Sequence, residues 1–176
     1  MTREPALTLI TGGGSSGKTT QACRLAAAHG ERVLYVATCE PRDAGMHAKV
    51  ARHRAERPAS WTTREQSVRV ADALDPGWDA AVVDCLTLLI SQQLVAGVAE
   101  DEILKEVDAL AAGSPGYPVY VVSNEVGLGV IPVNALARRF AELQGRANQR
   151  VAQAADRVVC MISGLPLTLK GDPCRS

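Results

Sequence analysis

Gly12-Gly13-Gly14-Ser15-Ser16-Gly17-Lys18-Thr19 is the most informative segment of this sequence. It reads G-x-x-x-x-G-K-T and stands between a predicted strand and a predicted helix, which is the context that a phosphate-binding loop requires. Glycines let such a loop turn tightly, so that successive backbone N–H groups point at phosphate oxygens. The pattern predicts that Lys18 reaches the β- and γ-phosphates of a nucleoside triphosphate and that the Thr19 hydroxyl binds Mg²⁺. The alternative is a glycine-rich turn that matches the pattern by chance.

Five short apolar runs, rich in β-branched residues, predict the strands of the fold. Each run is nearly continuous rather than alternating, as expected for strands that are covered on both faces of a parallel sheet. The runs span residues 7–11, 33–37, 80–84, 119–124 and 158–162. Helical spacing occupies residues 18–29, 44–57, 64–74, 86–95, 101–112 and 135–155. This alternation predicts an α/β fold of the phosphate-loop NTPase class, with a mainly parallel central sheet flanked by helices.

The last of these segments has the clearest helix signals. Leu136, Phe140, Leu143, Ala147 and Val151 form one apolar stripe along it. Asn134 precedes the stripe, and a side chain of this type commonly accepts a hydrogen bond from the first turn of a helix. We therefore expect Asn134 to be the N-cap.

The length and composition of the chain are typical of a single globular domain. The 176 residues predict a single domain over residues 1–170, followed by a loose tail over 171–176. The 19 basic and 19 acidic residues cancel, which argues against a general binder of nucleic acid or of a membrane surface. The five cysteines show no CxxC spacing, so neither a zinc site nor a disulfide framework is expected and a cytoplasmic location fits best. Neither a signal peptide nor a membrane span is expected.

Asp84 ends the apolar run that begins at residue 80. An acidic residue at the tip of a buried strand is the usual second half of a phosphate-loop site, where it holds Mg²⁺ directly or through water. The alternative is an ordinary helix cap, because a helix is predicted to start near Leu86. The presence of Lys18 favours the magnesium role.

His53 is the candidate nucleophile. Met46, Val50, His53 and Arg57 share one face of a predicted helix, where a histidine is more often a packed residue than a catalyst. Arg54 and Arg57 shift that balance toward catalysis without reversing it, since guanidinium groups keep a neighbouring imidazole neutral and can bind the phosphate that it attacks.

Asn124 and Glu125 follow the fourth predicted strand and precede two glycines. Loops at the carboxyl ends of parallel strands build the binding crevice of such folds. We therefore expect Asn124 and Glu125 to belong to a substrate loop; the alternative is a flexible connection with Glu125 in solvent.

These residues together resemble the bifunctional adenosylcobinamide kinase/adenosylcobinamide-phosphate guanylyltransferase family of cobalamin synthesis. Order and spacing match from about residue 7 to residue 170, and the H-R-x-x-R-P and N-E-V-G-x-G stretches are specific to that family. The matching stretches are residues 12–19, Ala37-Thr38-Cys39, residues 50–58 with Trp61, Thr63 and Glu65, Asp84-Cys85-Leu86-Thr87, residues 123–132, and Gly145-Arg146-Ala147-Asn148-Gln149 with Ala155-Asp156.

The resemblance implies a specific pair of reactions. Such enzymes phosphorylate adenosylcobinamide with ATP or GTP, then transfer GMP from GTP to the new phosphate through a GMP–histidine intermediate, giving adenosylcobinamide-GDP and pyrophosphate. The resemblance also implies a RecA-like fold, Mg²⁺, a homotrimer, catalytic roles for His53 and Lys18, and a metal site at Thr19 and Asp84. The implied GTP-binding positions are Gly12, Gly13, Gly14, Ser15, Ser16, Gly17, Lys18, Thr19, Ala37, Thr38, Cys39, Arg54, Ala55, Glu56, Arg57, Glu65 and Asp84.

The sequence departs from the family pattern at three positions. Arg52 stands where some members have a second histidine, Asp84 stands where some have Glu, and Ser15 stands where some have Arg. Two other functions fit the phosphate loop alone: an NTPase that serves as a regulatory module, and a small-metabolite kinase that does not need His53. The N-K-x-D pattern of switch GTPases is absent.

Overall fold

The computed structural model describes residues 6–39, 57–113 and 115–172. Its centre is one seven-stranded sheet with the order β3-β2-β4-β5-β1-β6-β7. The strands β1 to β6 run parallel to one another. β7 lies at the edge of the sheet and pairs antiparallel with β6. The strands are β1 (Leu7–Gly12), β2 (Val33–Ala37), β3 (Thr62–Glu65), β4 (Ala80–Asp84), β5 (Val119–Val122), β6 (Arg157–Ile162) and β7 (Leu165–Lys170).

Helices cover both faces of this sheet, which explains why its central strands are apolar without alternation. The helices of the described residues are α1 (Lys18–Ala27), α2 (Leu86–Val95), α3 (Glu100–Ala112) and α4 (Ala135–Ala154), with a short 3₁₀ turn at Val70–Ala73. Side chains of α1 pack with Tyr35 and Val82 on one face. Side chains of α2, α3 and α4 pack with Leu34 and Val83 on the other. The predicted α/β fold with a mainly parallel sheet is confirmed.

The predicted elements agree with the structure wherever a strong apolar pattern exists. All five expected strands are present, and the fourth ends at Val122, two residues earlier than expected. Asn134 caps α4 as predicted, since its side chain accepts a hydrogen bond of 3.1 Å from the Ala137 N–H. Leu136, expected on the buried stripe of that helix, lies in its first turn and is 44% exposed.

One predicted helix is wrong, and two strands were not predicted. Residues 64–74 do not form a helix: β3 ends at Glu65, Arg69 has the left-handed φ of 50°, and only Val70–Ala73 makes a 3₁₀ turn. β3 and β7 lack a continuous apolar run and lie at the two edges of the sheet. The predicted helix over 44–57 falls, except for Arg57, outside the described residues.

The fold brings the phosphate loop, the end of β4 and the end of β5 to one edge of the sheet. β1 leads directly into the loop, and β5 lies between β1 and β4. Carboxyl ends of neighbouring parallel strands share an edge, so residues that follow these three strands surround one crevice. None of the helices in the described residues is long and apolar enough to cross a membrane.

Candidate functional site: a phosphate-loop cleft

The phosphate loop has backbone conformations that depend on glycine at two positions. Gly12 has φ 144°, and a Cβ there would collide with the Met161 carbonyl oxygen and lie 2.8 Å from Ser16 Oγ. Gly17 has φ 92° and is the N-cap of α1. Ser15 also has a positive φ, 55°, a conformation that is uncommon for a residue with a side chain. The loop therefore makes the tight turn that the motif predicts, with Ser15 at its exposed tip.

Lys18 is buried under this loop at the first position of α1. Its side chain is only 7% exposed, and Nζ donates to the Gly13 carbonyl oxygen at 2.5 Å and to Ser16 Oγ at 3.4 Å. A buried ammonium needs hydrogen-bond acceptors around it, and phosphate oxygens supply stronger ones than a carbonyl or a hydroxyl. The position of Lys18 between the loop and the helix N-terminus thus suits an anion.

Asp84 and Thr19 meet at the mouth of the cleft. The Thr19 hydroxyl donates to Asp84 Oδ2 at 3.1 Å, which joins the start of α1 to the end of β4. The N-cap of α2 is Cys85, and no side chain caps that helix, so Asp84 is not a helix cap. A hydroxyl and a carboxylate oxygen are the hard donors that Mg²⁺ prefers, and Mg²⁺ completes its shell with water and phosphate oxygens. This pair therefore fits a magnesium site at a bound triphosphate.

Tyr35 contacts Asp84 from β2. Its hydroxyl donates to Asp84 Oδ2, and its ring is covered by Arg57, whose guanidinium carbon lies 3.4 Å from the ring centroid. Burial, together with the charge and hydrogen bond of Asp84, raises the pKa of Tyr35 well above its usual value. The phenol therefore stays protonated and remains a hydrogen-bond donor.

Thr38 is buried and holds the backbone of Cys85, the residue that follows Asp84. The Thr38 hydroxyl donates to the Cys85 carbonyl oxygen at 2.7 Å and accepts from the Cys85 N–H at 2.8 Å. Gln92, on α2, donates to the Thr38 carbonyl oxygen at 2.7 Å. Burial, with the Asp84 charge as the next cause, raises the pKa of the Cys85 thiol to about 12, so this cysteine is an unreactive thiol at neutral pH.

A network of side-chain hydrogen bonds holds Asn124 and Glu125, the expected substrate loop. Glu125 Oε1 accepts hydrogen bonds from Thr11 Oγ1 at 2.6 Å and from Asn148 Nδ2 at 3.1 Å. Asn148 Nδ2 also donates to the Asn124 carbonyl oxygen at 3.1 Å, and Asn148 Oδ1 accepts from Ser123 at 2.6 Å. Glu125 is thus held between β1 and α4 and does not project freely into solvent.

These groups surround a cleft of about 600 Å³. Most of the residues that the sequence singled out line it, namely Gly14, Ser15, Ser16, Gly17, Lys18, Thr19, Ala37, Cys39, Arg57, Asp84 and Asn124. Thr38 is fully buried behind the cleft wall, and Glu65 is exposed at the end of β3, in register with Ala37. Gly12, Gly13 and Glu125 are not among the residues that line the cleft. His53, Arg54, Ala55 and Glu56 lie outside the described residues.

The sequence interpretation missed the residues that support the site. Tyr35 looked like one more apolar position within a buried strand. Gln144 and Asn148 are fully or almost fully buried on α4, next to the apolar stripe. Polar side chains at i and i+4 that border an apolar stripe were the available signal, because buried amides must find hydrogen-bond partners.

The fold and the cleft are those of the phosphate-loop class of α/β proteins. Within that class, residues 8–169 match the family model described as cobinamide kinase / cobinamide phosphate guanyltransferase. The match covers nearly the whole chain, and the chain therefore belongs to this family of bifunctional enzymes.

Curated relatives are similar along almost their entire length. The chain is 39% identical to the bifunctional adenosylcobalamin biosynthesis protein CobP of Pseudomonas aeruginosa, over 94% of this chain and 98% of that protein. It is 36% identical to the bifunctional adenosylcobalamin biosynthesis protein CobU of Salmonella typhimurium, over 92% of this chain and 98% of that protein. The protein of the same name from Escherichia coli is 32% identical over the same shares of the two chains.

Proposed function

We propose that this protein carries out two successive reactions on a corrinoid in cobalamin biosynthesis. It phosphorylates the aminopropanol hydroxyl of adenosylcobinamide with ATP or GTP. It then transfers GMP from GTP to that phosphate, giving adenosylcobinamide-GDP and pyrophosphate. The observation that carries the proposal is the cleft itself, where Lys18, Thr19, Asp84 and Arg57 converge in a chain of this family.

Lys18 and Arg57 are the cations of the proposed nucleotide site. Both line the cleft, Lys18 beneath the phosphate loop and Arg57 against the ring of Tyr35. Phosphoryl and nucleotidyl transfer both spread negative charge over oxygens in the transition state, and fixed cations in a partly desolvated site stabilise that charge. When bound between Thr19 and Asp84, Mg²⁺ would neutralise further charge on the phosphate oxygens.

His53 is the proposed nucleophile of the second reaction. Its neutral imidazole attacks the α-phosphorus of GTP, a P–N bond forms, and pyrophosphate leaves. A phosphate oxygen of adenosylcobinamide phosphate then attacks the same phosphorus, the P–N bond breaks, and neutral His53 is restored. Covalent catalysis of this kind divides one difficult transfer into two easier ones. Arg57, four residues after His53 in the sequence, lies in the cleft that holds the phosphate loop, which supports this assignment.

Trapping of the covalent intermediate tests the proposal. The protein is incubated with α-labelled GTP and Mg²⁺, and the label should stay on the protein through denaturation, be released by acid and resist base. His53→Ala should lose the label. The matched control is His47→Ala, a histidine six residues earlier in the same stretch, which should label normally. Label that persists in His53→Ala would refute the histidine assignment.

The proposal also covers the location, the oligomeric state and the domain bounds of the protein. We propose a cytoplasmic homotrimer that acts on small molecules and not on nucleic acid. The domain is proposed to span residues 1–170, with 171–176 as a loose tail.

A further inference from the structure

Tyr35 contacts two other residues of the cleft, one through its hydroxyl and one through its ring. It lies on β2, is only 2% exposed, and lines the cleft between the phosphate loop and Arg57. Its hydroxyl contacts the carboxylate of Asp84, and its ring face contacts the guanidinium of Arg57. Neither contact follows from the phosphate-loop motif, which specifies the lysine and the threonine but nothing on β2.

The hydroxyl end of Tyr35 determines how Asp84 is oriented. Asp84 Oδ2 accepts one hydrogen bond from the Tyr35 hydroxyl and a second from Thr19 Oγ1. Two donors on one oxygen hold the carboxylate in a single rotamer. Both of these hydrogen bonds go to Oδ2, and we assign the other oxygen, Oδ1, to the cation. Magnesium demands near-ideal geometry from its ligands, so a carboxylate that is held in advance binds it better than one that rotates.

The ring end of Tyr35 determines where Arg57 lies. The guanidinium carbon is 3.4 Å from the ring centroid, within the range of a stacked cation–π contact, and Nη1 donates to Thr63 Oγ1 on β3 at 3.0 Å. Arg57 is therefore held between a ring on β2 and a hydroxyl on β3. Since Arg57 follows the 40–56 segment directly, this contact anchors the carboxyl-terminal end of the stretch that contains His53.

We propose that Tyr35 is a positioning residue with two separable actions on the nucleotide site. Its hydroxyl orients the Asp84 carboxylate for the divalent cation of a metal–nucleoside triphosphate, and its ring holds Arg57 against the nucleotide's phosphates. The link between the second action and GMP transfer rests on the proposed function; the two contacts themselves do not.

Tyr35→Phe and Tyr35→Met separate the two actions. Phenylalanine keeps the ring and removes the hydroxyl, whereas methionine fills similar space without a ring face. Binding of a fluorescent GTP analogue is measured over a range of Mg²⁺ concentrations, and GMP labelling is measured beside it. Tyr117→Phe is the matched control, because Tyr117 is also buried and its hydroxyl bonds to the Asp75 carbonyl oxygen, away from the cleft.

Each variant has a distinct expected result. Tyr35→Phe should raise the Mg²⁺ concentration for half-maximal binding about three- to tenfold, while affinity at saturating Mg²⁺ stays within about twofold of wild type. Tyr35→Met should show the same shift in Mg²⁺ dependence. It should in addition lose about tenfold in affinity at saturating Mg²⁺ and a similar factor in labelling rate. Tyr117→Phe should match wild type in every measurement.

The outcomes that overturn the proposal are equally specific. If the Mg²⁺ dependence of Tyr35→Phe equals that of wild type, the hydroxyl does not orient Asp84 for the cation. Equal affinity of Tyr35→Met and Tyr35→Phe at saturating Mg²⁺ removes the role of the ring. If Tyr35→Met does not fold, Arg57→Lys, which keeps the charge but cannot stack as a plane, must show the same tenfold loss. Wild-type protein that binds the analogue but never acquires GMP contradicts the proposed function, while the Mg²⁺ titration still decides the role of Tyr35.

Discussion

Lys18 is the residue on which both proposed reactions depend. Its buried amine bonds to the backbone of the phosphate loop, which is proposed to hold the β- and γ-phosphates of a triphosphate. Lys18→Ala should lower the kinase rate and the GMP-labelling rate together, each by about a hundredfold or more, because both reactions need the same cation. The measurement is the initial rate of each half-reaction. Guanylylation that survives in this variant would show two separate nucleotide sites.

The control for that substitution is an exposed lysine of α3. Lys105 pairs with Glu102 at 2.7 Å, and its side chain is 70% exposed, so Lys105→Ala should leave both rates unchanged. Equal losses in the two lysine variants would indicate a general effect of removing positive charge, not a role for the buried amine.

At the scale of single residues, the sequence predicted the groups that belong to a fixed motif and missed those that only support it. Gly12, Lys18 and Thr19 follow from the spacing of the phosphate-loop motif, and Asp84 follows from its place at the end of a predicted buried strand. Tyr35 could not be found in this way, since an aromatic residue inside a buried strand is ordinarily core. Its contact with Asp84 depends on which strands are neighbours.

At the scale of elements, α4 is joined to the cleft by Asn148. This side chain donates to Asn124 and Glu125 and accepts from Ser123 and Gln144, the latter at 2.9 Å. Asn148→Ala should destabilise the fold by about 2–4 kcal/mol, because it removes several hydrogen bonds of a buried network at once and leaves a cavity on α4. Urea unfolding measures the loss. Gln149→Ala, at the neighbouring exposed position, should change stability by less than about 0.5 kcal/mol. A similar small change in Asn148→Ala would contradict the network.

The elements that the sequence predicted correctly are those with a strong periodic pattern. The five central strands are buried over most of their length and so are nearly continuously apolar, and α2 begins and ends at the expected residues. β3 and β7 are edge strands with few buried side chains, so their residues carry little of that pattern. Val70, Ala73 and Leu74 do have helical spacing. The helix does not form because the left-handed conformation of Arg69 precedes them, and because Arg64 extends from β3 to bond Asp75 and the Ala73 carbonyl oxygen.

At the scale of the whole molecule, one cleft at one edge of the sheet serves both proposed reactions. The phosphate loop after β1, Asp84 at the end of β4 and Asn124 after β5 meet there because β5 lies between β1 and β4. The γ-phosphate and the α-phosphate of a nucleotide held by one loop are a few ångströms apart. Phosphoryl transfer from the γ-phosphate and attack of a histidine on the α-phosphate can therefore both use Lys18 and a bound metal ion.

A chase experiment tests whether GMP passes through His53 to the corrinoid phosphate. Protein labelled from α-labelled GTP is freed of nucleotide and then mixed with adenosylcobinamide phosphate. The protein-bound label should move into adenosylcobinamide-GDP in a single turnover, without added GTP. Label that stays on the protein, or that leaves only as free GMP, would contradict it.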